Sequence, residues 1–123
     1  MDIPPKILIC HDDADFAIAA CETATNSGFQ PVAINDGRQF KTAYNDHRPA
    51  LILHEFFTEF LDGIELVKWL VEQQNRSPVV LTINRQISLT RAAVALARNA
   101  DLFALSILIR PASDVELADA LRI

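Results

Sequence analysis

The sequence has little cysteine and glycine, and it has no long apolar run. Cys10 and Cys21 match neither a CxxC redox motif nor the spacing of zinc ligands. We therefore expect two reduced, buried thiols, because a free cysteine behaves as a small hydrophobic residue. No stretch approaches the roughly 18 consecutive apolar residues of a membrane span, and the run at residues 6–10 is too short for a signal peptide. These absences predict a soluble, cytoplasmic chain that does not contact the membrane.

Positive charge is also in short supply. Eleven Lys and Arg residues stand against 16 Asp and Glu residues, which gives a net charge of -5. A protein that binds nucleic acid needs Lys and Arg to neutralise phosphates, so we expect no direct nucleic-acid partner. The length of 123 residues is typical of one domain, and half of the residues are hydrophobic. We therefore predict that residues 1–123 form a single domain with one core.

Short apolar runs alternate with helical patterns along the chain. The runs lie at residues 6–10, 31–34, 50–53, 78–82 and 106–109. A helical pattern follows each run, ending at Gly28 in the first case and covering residues 40–44, 64–71, 87–98 and 115–121 in the others. Runs of this length are typical of strands buried on both faces of a sheet. The alternation predicts right-handed βαβ units and a doubly wound α/β parallel sheet.

Polar side chains stand at the ends of four of these predicted strands. The residues are His11, Asp12, Asp13, Glu55, Thr82 and Arg110. In a doubly wound sheet, ligands bind outside the carboxyl ends of the strands, so these side chains are expected to converge. Carboxylates, a hydroxyl and a cation are groups that can hold a divalent metal and a phosphoryl group.

Four stretches in this order resemble the receiver domains of two-component response regulators. They are KILICHDDADF, AINDGRQF, RPALILHEFFTEFLDGIELV and IRPASDVELADAL, and together they extend over essentially the whole chain. The resemblance implies a flavodoxin-like (βα)5 fold with strand order 2-1-3-4-5. It also implies a site in which an aspartate at the end of the third strand accepts a phosphoryl group from a histidine kinase with the help of Mg²⁺.

The acidic positions of that site carry over residue by residue, with departures. The phospho-acceptor position falls on Glu55, because the family's acceptor precedes an Asp-Gly pair at the spacing of Asp62-Gly63. The family's acidic pair falls on His11 and Asp12, followed by Asp13. A Glu carboxylate reaches about 1.5 Å further than that of Asp, and in a reaction that depends on positioning, a displacement of about 1 Å can cost about 100-fold. Glu55 is thus expected to be a poor acceptor that mimics a permanent negative charge.

The remaining positions of the family site fall on Thr82, Arg110 and Ile107. Thr82 matches the hydroxyl position, whereas Arg110 replaces the family's Lys and Ile107 replaces the aromatic residue that takes part in its switch. A guanidinium can pair with a carboxylate through two parallel hydrogen bonds, so we expect a Glu55–Arg110 ion pair that locks the site. The family's usual Pro in the loop after the acceptor is replaced by Glu59.

Metal binding is expected to be weak or absent. His11 offers an imidazole where Mg²⁺ prefers hard oxygen ligands, which leaves Asp12 and Glu55 as the oxygen ligands for any metal. The alternative is a zinc site formed by His11, Asp12 and Glu55. We therefore expect no required cofactor.

Each of these residues also has an ordinary structural interpretation. Asp12 or Asp13 can cap the first helix, and Thr82 is a residue that strands favour. His54 is expected to point away from Glu55 and to pack inside, because side chains alternate along a strand. Four apolar residues of the following loop either pack on the core, which we favour, or form a partner surface; they are Phe56, Phe57, Phe60 and Leu61.

The sequence therefore predicts a degenerate receiver domain that regulates through protein contacts and has no catalysis of its own. The resemblance implies a histidine kinase, an output domain and a homodimer face within residues 87–123 as partners. The segment DLFALSILIRP at residues 101–111 is similar to receivers that precede EAL-type cyclic-di-GMP phosphodiesterase domains. Two alternatives remain: a functional receiver that is phosphorylated with Mg²⁺, and a flavodoxin-like module that binds a small ligand or a metal.

Overall fold

Five parallel strands form one sheet in the computed structural model, which describes residues 3–84 and 104–122. The strands are β1 (Lys6–Cys10), β2 (Gln30–Ile34), β3 (Leu51–Glu55), β4 (Val79–Asn84) and β5 (Leu105–Arg110). Their order across the sheet is β2-β1-β3-β4-β5, which confirms the predicted flavodoxin-like order. The described helices are α1 (Ala14–Asn26), α2 (Phe40–His47), α3 (Gly63–Glu72) and α4 (Asp114–Ala120), with a 3-10 turn at Gly37–Gln39 before α2. The helix predicted at residues 87–98 lies outside the described residues.

Polar side chains cap the helices at the edge of the sheet where the strands end. Asp13 caps α1 by accepting a hydrogen bond from the backbone N–H of Phe16 at 3.1 Å. Asp62 caps α3, and Ser113 caps α4. Such caps satisfy backbone N–H groups that have no partner within the helix. At the other end of α1, Gly28 takes a left-handed φ of 93°, which fits its predicted role as a helix stop.

The sheet carries an apolar core on both faces. One face packs residues such as Leu8, Ile52 and Leu81 against α2 and α3. The opposite face packs Leu53 and Val80 of the sheet with the side chains of α1 and α4. Every residue of β3 is buried, as expected for a central strand covered on both sides. Within the described residues, no helix has the length and apolar character needed to cross a membrane.

The loop between β3 and α3 divides its apolar residues between the core and the solvent. Phe56 and Leu61 are buried in the core, whereas Phe57 and Phe60 are exposed. The favoured prediction that the phenylalanines of this loop pack on the core is therefore wrong for two of them. Gly63 explains how Phe56 fits, because a Cβ atom at residue 63 would lie only 2.3 Å from Cδ2 of Phe56.

Candidate functional site

The carboxyl ends of the strands bring the predicted polar residues together. Glu55 is the last residue of β3 and is paired in register with Thr82 of β4. Arg110 is the last residue of β5, and His11 directly follows β1. The third and fifth strands extend further than predicted, so Glu55 and Arg110 lie within strands and not after them, and the fourth strand continues past Thr82 to Asn84. The sheet therefore fixes the backbone positions from which these three side chains extend.

Glu55 is a buried carboxylate, and polar groups from three elements meet at one of its oxygens. The residue is only 4% exposed. Its Oε2 atom lies 2.5 Å from Nε2 of His11 and accepts a hydrogen bond from Nη1 of Arg110 at 3.1 Å. The hydroxyl of Thr82 donates to the same oxygen at 3.4 Å. A carboxylate oxygen that faces several donors is a weaker nucleophile, because its lone pairs are already engaged.

Arg110 divides its guanidinium between two carboxylates. While Nη1 donates to Glu55, Nη2 donates to Oδ2 of Asp13 at 2.6 Å. The guanidinium carbon also lies 4.7 Å from the centre of the Phe16 ring, within the range of a cation–π contact. The expected ion pair between Glu55 and Arg110 is present, but it uses one guanidinium nitrogen and not two, because the second nitrogen binds Asp13. Arg110 consequently links β5, β3 and the start of α1.

The ring of His11 is held in one orientation by the backbone. Its Nδ1 atom accepts a hydrogen bond from the N–H of Asp13 at 3.1 Å. A nitrogen that accepts a hydrogen bond carries no proton, so the proton of the neutral ring sits on Nε2 and faces Glu55. The ring also packs against Phe16, with the two centres 4.4 Å apart. His11 is therefore buried with Nε2 close to Oε2 of Glu55, although the two groups are not aligned for a hydrogen bond.

Asp13 has an electrostatic role beyond capping. The backbone N–H of Phe16 is the main cause that lowers its pKa below the usual value, and the hydrogen bond and charge of Arg110 add to that effect. Asp13 thus stays ionised and competes with Glu55 for the guanidinium. The sequence identified Asp13 but not this contact, and it missed Phe16, which lies under both Arg110 and His11. The one available signal was the position of Phe16 three residues after a helix cap.

The arrangement does not suit Mg²⁺. This ion requires nearly octahedral oxygen ligands. Here Arg110 already contacts oxygens of Glu55 and Asp13, and His11 presents a nitrogen that carries a proton. Among the described residues, His11, Asp12 and Glu55 do place one potential ligand atom each within 4.8 Å of one another, which is close enough for a transition metal. A metal there would have to compete with the guanidinium.

Two further predicted positions lie beside the site on the other face of the sheet. His54 is fully buried, and its ring meets Phe40 edge-on with centres 5.2 Å apart. Its Nδ1 donates to the backbone carbonyl of Glu55 at 2.7 Å, and burial lowers its pKa to about 4. Ile107 is partly buried against the same core face. Both side chains are packed away from Glu55, as alternation along a strand requires.

Comparison with known proteins gives relatives that share this fold. No family model matches the sequence. The C4-dicarboxylate transport transcriptional regulatory protein DctD of Pseudomonas aeruginosa is 29% identical over 80 residues, which is 65% of this chain and 17% of that protein. The chemotaxis response regulator CheY4 of Vibrio cholerae superposes with a TM-score of 0.79 at 19% identity, covering 97% of both chains. The receiver domain of the Francisella response regulator 1452 superposes with a TM-score of 0.76 at 25% identity, covering 94% of this chain and 91% of that one.

Proposed function

We propose that the chain is a degenerate receiver domain of a two-component signalling system, acting through protein contacts and not through phosphorylation. The observation that carries the proposal is Arg110, which contacts Glu55 and Asp13 at the same time. In an active receiver, the cation of this site binds the phosphoryl group and the carboxylates bind the metal. In this chain they neutralise each other. The shared fold of CheY4 and the Francisella receiver, together with the similarity to DctD, supports assignment to the receiver class.

Glu55 takes the place of the missing phosphoryl group in this proposal. Its longer side chain delivers a negative charge to the cation at the end of β5 and to the hydroxyl of Thr82. An incoming phosphoryl donor would bring further negative charge to a buried carboxylate whose lone pairs already face donors, which opposes attack. The site therefore keeps one fixed arrangement of charges, and it has no catalysis of its own.

The partners of such a module are other proteins or domains. The 80 residues that match DctD, a protein described as a transcriptional regulatory protein, cover 17% of that protein's length. This size difference is consistent with a receiver that works alongside an output domain, for which an EAL-type phosphodiesterase domain is the candidate suggested by the segment at residues 101–111. A histidine kinase and a homodimer through residues 87–123 remain parts of the same proposal, and residues 87–103 and 123 of that face lie outside the described residues.

Exposure to small phosphoryl donors tests the proposal. The chain is incubated with acetyl phosphate and Mg²⁺ and weighed by mass spectrometry, and beryllofluoride binding is followed by fluorine NMR. We expect neither a covalent mass increase nor a bound fluoride signal. A stoichiometric phosphoryl adduct, or beryllofluoride bound at Glu55, would refute the proposal.

A variant that restores the family's residues is the matched control. It combines His11→Asp, Glu55→Asp and Arg110→Lys, which returns an acidic pair, a short acceptor and an ammonium. We expect this variant to gain Mg²⁺-dependent beryllofluoride binding under the same conditions, with an active receiver domain as the positive control. If wild type and variant both bind, the departures do not silence the site.

The second candidate function is binding of a transition metal, favoured by the closeness of His11, Asp12 and Glu55. A ligand that binds only the folded state raises the melting temperature by mass action. We expect neither millimolar Mg²⁺ nor equimolar Zn²⁺ to raise the Tm, because Arg110 occupies the carboxylate. A Zn²⁺-dependent increase that His11→Asn abolishes would establish this second function instead.

A further inference from the structure

We propose that the outward face of the β3–α3 loop is a docking site for a protein segment that presents a basic side chain beside an apolar one. This inference rests on the proposed function and deepens it, since it names the surface through which a silent receiver makes contact. The site has two parts. The first is the loop patch, which consists of Phe57, Phe60 and Ile64, and the second is a small acidic cleft beside Phe60.

The loop patch is apolar and open to solvent. Phe57 is 45% exposed, Phe60 is 53% exposed and Ile64 is 46% exposed. The same loop buries Phe56 and Leu61 almost completely, so these two residues cover the core without the exposed ones. Large exposed apolar side chains in a loop and at the start of the helix that follows it are typical of a surface that a partner covers.

Phe60 is held ready for contact by its neighbours. Its backbone has a left-handed φ of 71°, which is uncommon for a bulky residue. The guanidinium of Arg38 lies 4.1 Å from the ring centre, and Arg38 is itself fixed by Asp36 through hydrogen bonds from Nε and Nη2. An aromatic ring held in this way loses little conformational freedom on binding, and aromatic and Arg side chains are the usual anchors of protein interfaces.

Close packing joins the loop to the turn that carries Arg38. A Cβ atom at Gly37 would lie 2.8 Å from Cβ of Leu61, so only glycine lets the loop approach this turn so closely. The cation and the aromatic ring therefore share one rigid platform. The patch is consequently a fixed shape and not a loop tip free to rearrange.

The cleft beside Phe60 determines the charge of the occupant. It has a volume of about 100 Å³ and is lined by residues that include Asp12, Asp36, Glu59 and Phe60. Asp36 is paired with Arg38, whose charge Glu59 also faces, whereas the side chain of Asp12 is 65% exposed. A cleft of this size holds the end of a side chain and not a nucleotide. Its acidic lining is complementary to a Lys or Arg side chain, whose apolar neighbour would cover the loop patch.

Selection from a random peptide library displayed on phage tests this site against segments of every composition. The folded chain is the bait, and peptides that also bind the variant Phe57→Ser/Phe60→Asn are removed. Both positions are exposed, and Asn tolerates a left-handed backbone, so this variant should fold. We expect enriched peptides with Lys or Arg next to a large apolar residue.

Synthetic copies of the enriched peptides are then titrated against purified variants. We expect Phe57→Ser/Phe60→Asn to weaken binding by at least ~10-fold, Glu59→Gln to weaken it several-fold, and Val115→Ser, which alters an exposed apolar residue on α4, to leave it unchanged. No enrichment, enrichment of acidic peptides, or equal binding to the loop variant would overturn the proposal. So would a dimer in sedimentation that the loop variant abolishes, because the occupant would then be a second copy. No phosphoryl donor is present, so this outcome is independent of phosphorylation at Glu55.

Discussion

The effect of Arg110 on stability depends on the buried carboxylate of Glu55 that it pairs with. Taking Glu55 and Arg110 out of water costs several kcal/mol per charge, and their attraction roughly offsets that cost. Removing one partner costs more than replacing both, because the partner that remains is an uncompensated buried charge. The site is thus more sensitive to single substitutions than to paired ones.

Arg110→Met should lower the free energy of unfolding by roughly 3 kcal/mol, since Glu55 keeps only the contacts of His11 and Thr82. The double variant Arg110→Met/Glu55→Gln should recover part of this loss. Urea denaturation of the three proteins measures the coupling. Arg122→Met, which removes an exposed ion pair with Asp119, is the control and should have little effect. Strictly additive effects of the two site substitutions would contradict the coupling.

His54 makes the fold sensitive to mild acid. Burial lowers its pKa from 6.5 to about 4 in the folded chain. As the pH falls below 6.5, the unfolded chain takes up a proton at this residue and the folded chain does not. The free energy of unfolding is therefore unaffected by the titration of His54 above pH 6.5, and it decreases as the pH falls from 6.5 to about 4.

His54→Leu should flatten this dependence. Wild type is expected to lose on the order of 3 kcal/mol between pH 7 and pH 4 through this residue, and the variant should not. Chemical denaturation at several pH values measures the slope. His47→Asn is the control, because His47 is only partly buried, and it should keep the wild-type slope. Equal slopes for wild type and His54→Leu would show that another group is responsible.

At the scale of elements, the β3–α3 connection depends on the contact between Phe56 and Gly63. The backbone N–H of Gly63 donates to the carbonyl of Phe56 at 2.7 Å, and the Phe56 ring covers the glycine. Alanine at residue 63 would favour the helix by less than the ~1 kcal/mol of an interior position, because Gly63 is the first residue of α3. The clash with the Phe56 ring opposes this gain, and it makes the net change in the free energy of unfolding unfavourable.

Gly63→Ala should therefore destabilise the chain by about 1–3 kcal/mol, the usual cost of overpacking. Phe56→Leu introduced alongside it should restore part of the loss by making room for the new methyl group. Thermal unfolding of the two single variants and the double variant gives the comparison. A Gly63→Ala chain as stable as wild type would mean that the ring moves aside at no cost.

The elements were predictable because their signals are local. Apolar runs and helical periodicity placed the five strands and the described helices, and Gly28 ended α1 as its type suggests. The ends of the strands were not predictable from local signals. Glu55 and Arg110 are polar, and they belong to the sheet because they pair with neighbouring strands. Tertiary contacts overrode the local pattern there.

The site was predictable in its membership but not in its contacts. Convergence of strand ends brought His11, Glu55, Thr82 and Arg110 together, as topology requires. The division of the guanidinium between Glu55 and Asp13 depends on the reach of α1, which no sequence pattern encodes. The outward turn of Phe57 and Phe60 depends equally on which residues of the loop the core has space for.

At the scale of the whole molecule, the two core faces share one sheet and should melt together. Trp69 is the single Trp of the chain and packs with Tyr44 and Phe40 on the face covered by α2 and α3. Leu53 belongs to the opposite face. A transition that involves the common strands cannot leave one face intact, so we expect two-state unfolding.

Leu53→Ala should lower the stability reported by Trp69 fluorescence, although the two residues lie on opposite faces. The expected loss is about 2–5 kcal/mol, typical of a cavity in a core. Circular dichroism should give the same midpoint as fluorescence. Separate midpoints for the two probes would show that the faces unfold independently.

The contacts of Arg110 also bear on how long a folded molecule lasts. They join residues separated by 97 and 55 positions in the chain, so they form only after β5 has joined the sheet. Interactions that appear after the folding transition state slow unfolding without speeding folding. Arg110 should therefore lengthen the lifetime of the native state while leaving the rate of its formation unchanged. Slow unfolding would thus keep the arrangement of Glu55, Asp13 and Arg110 in place for as long as the folded molecule lasts.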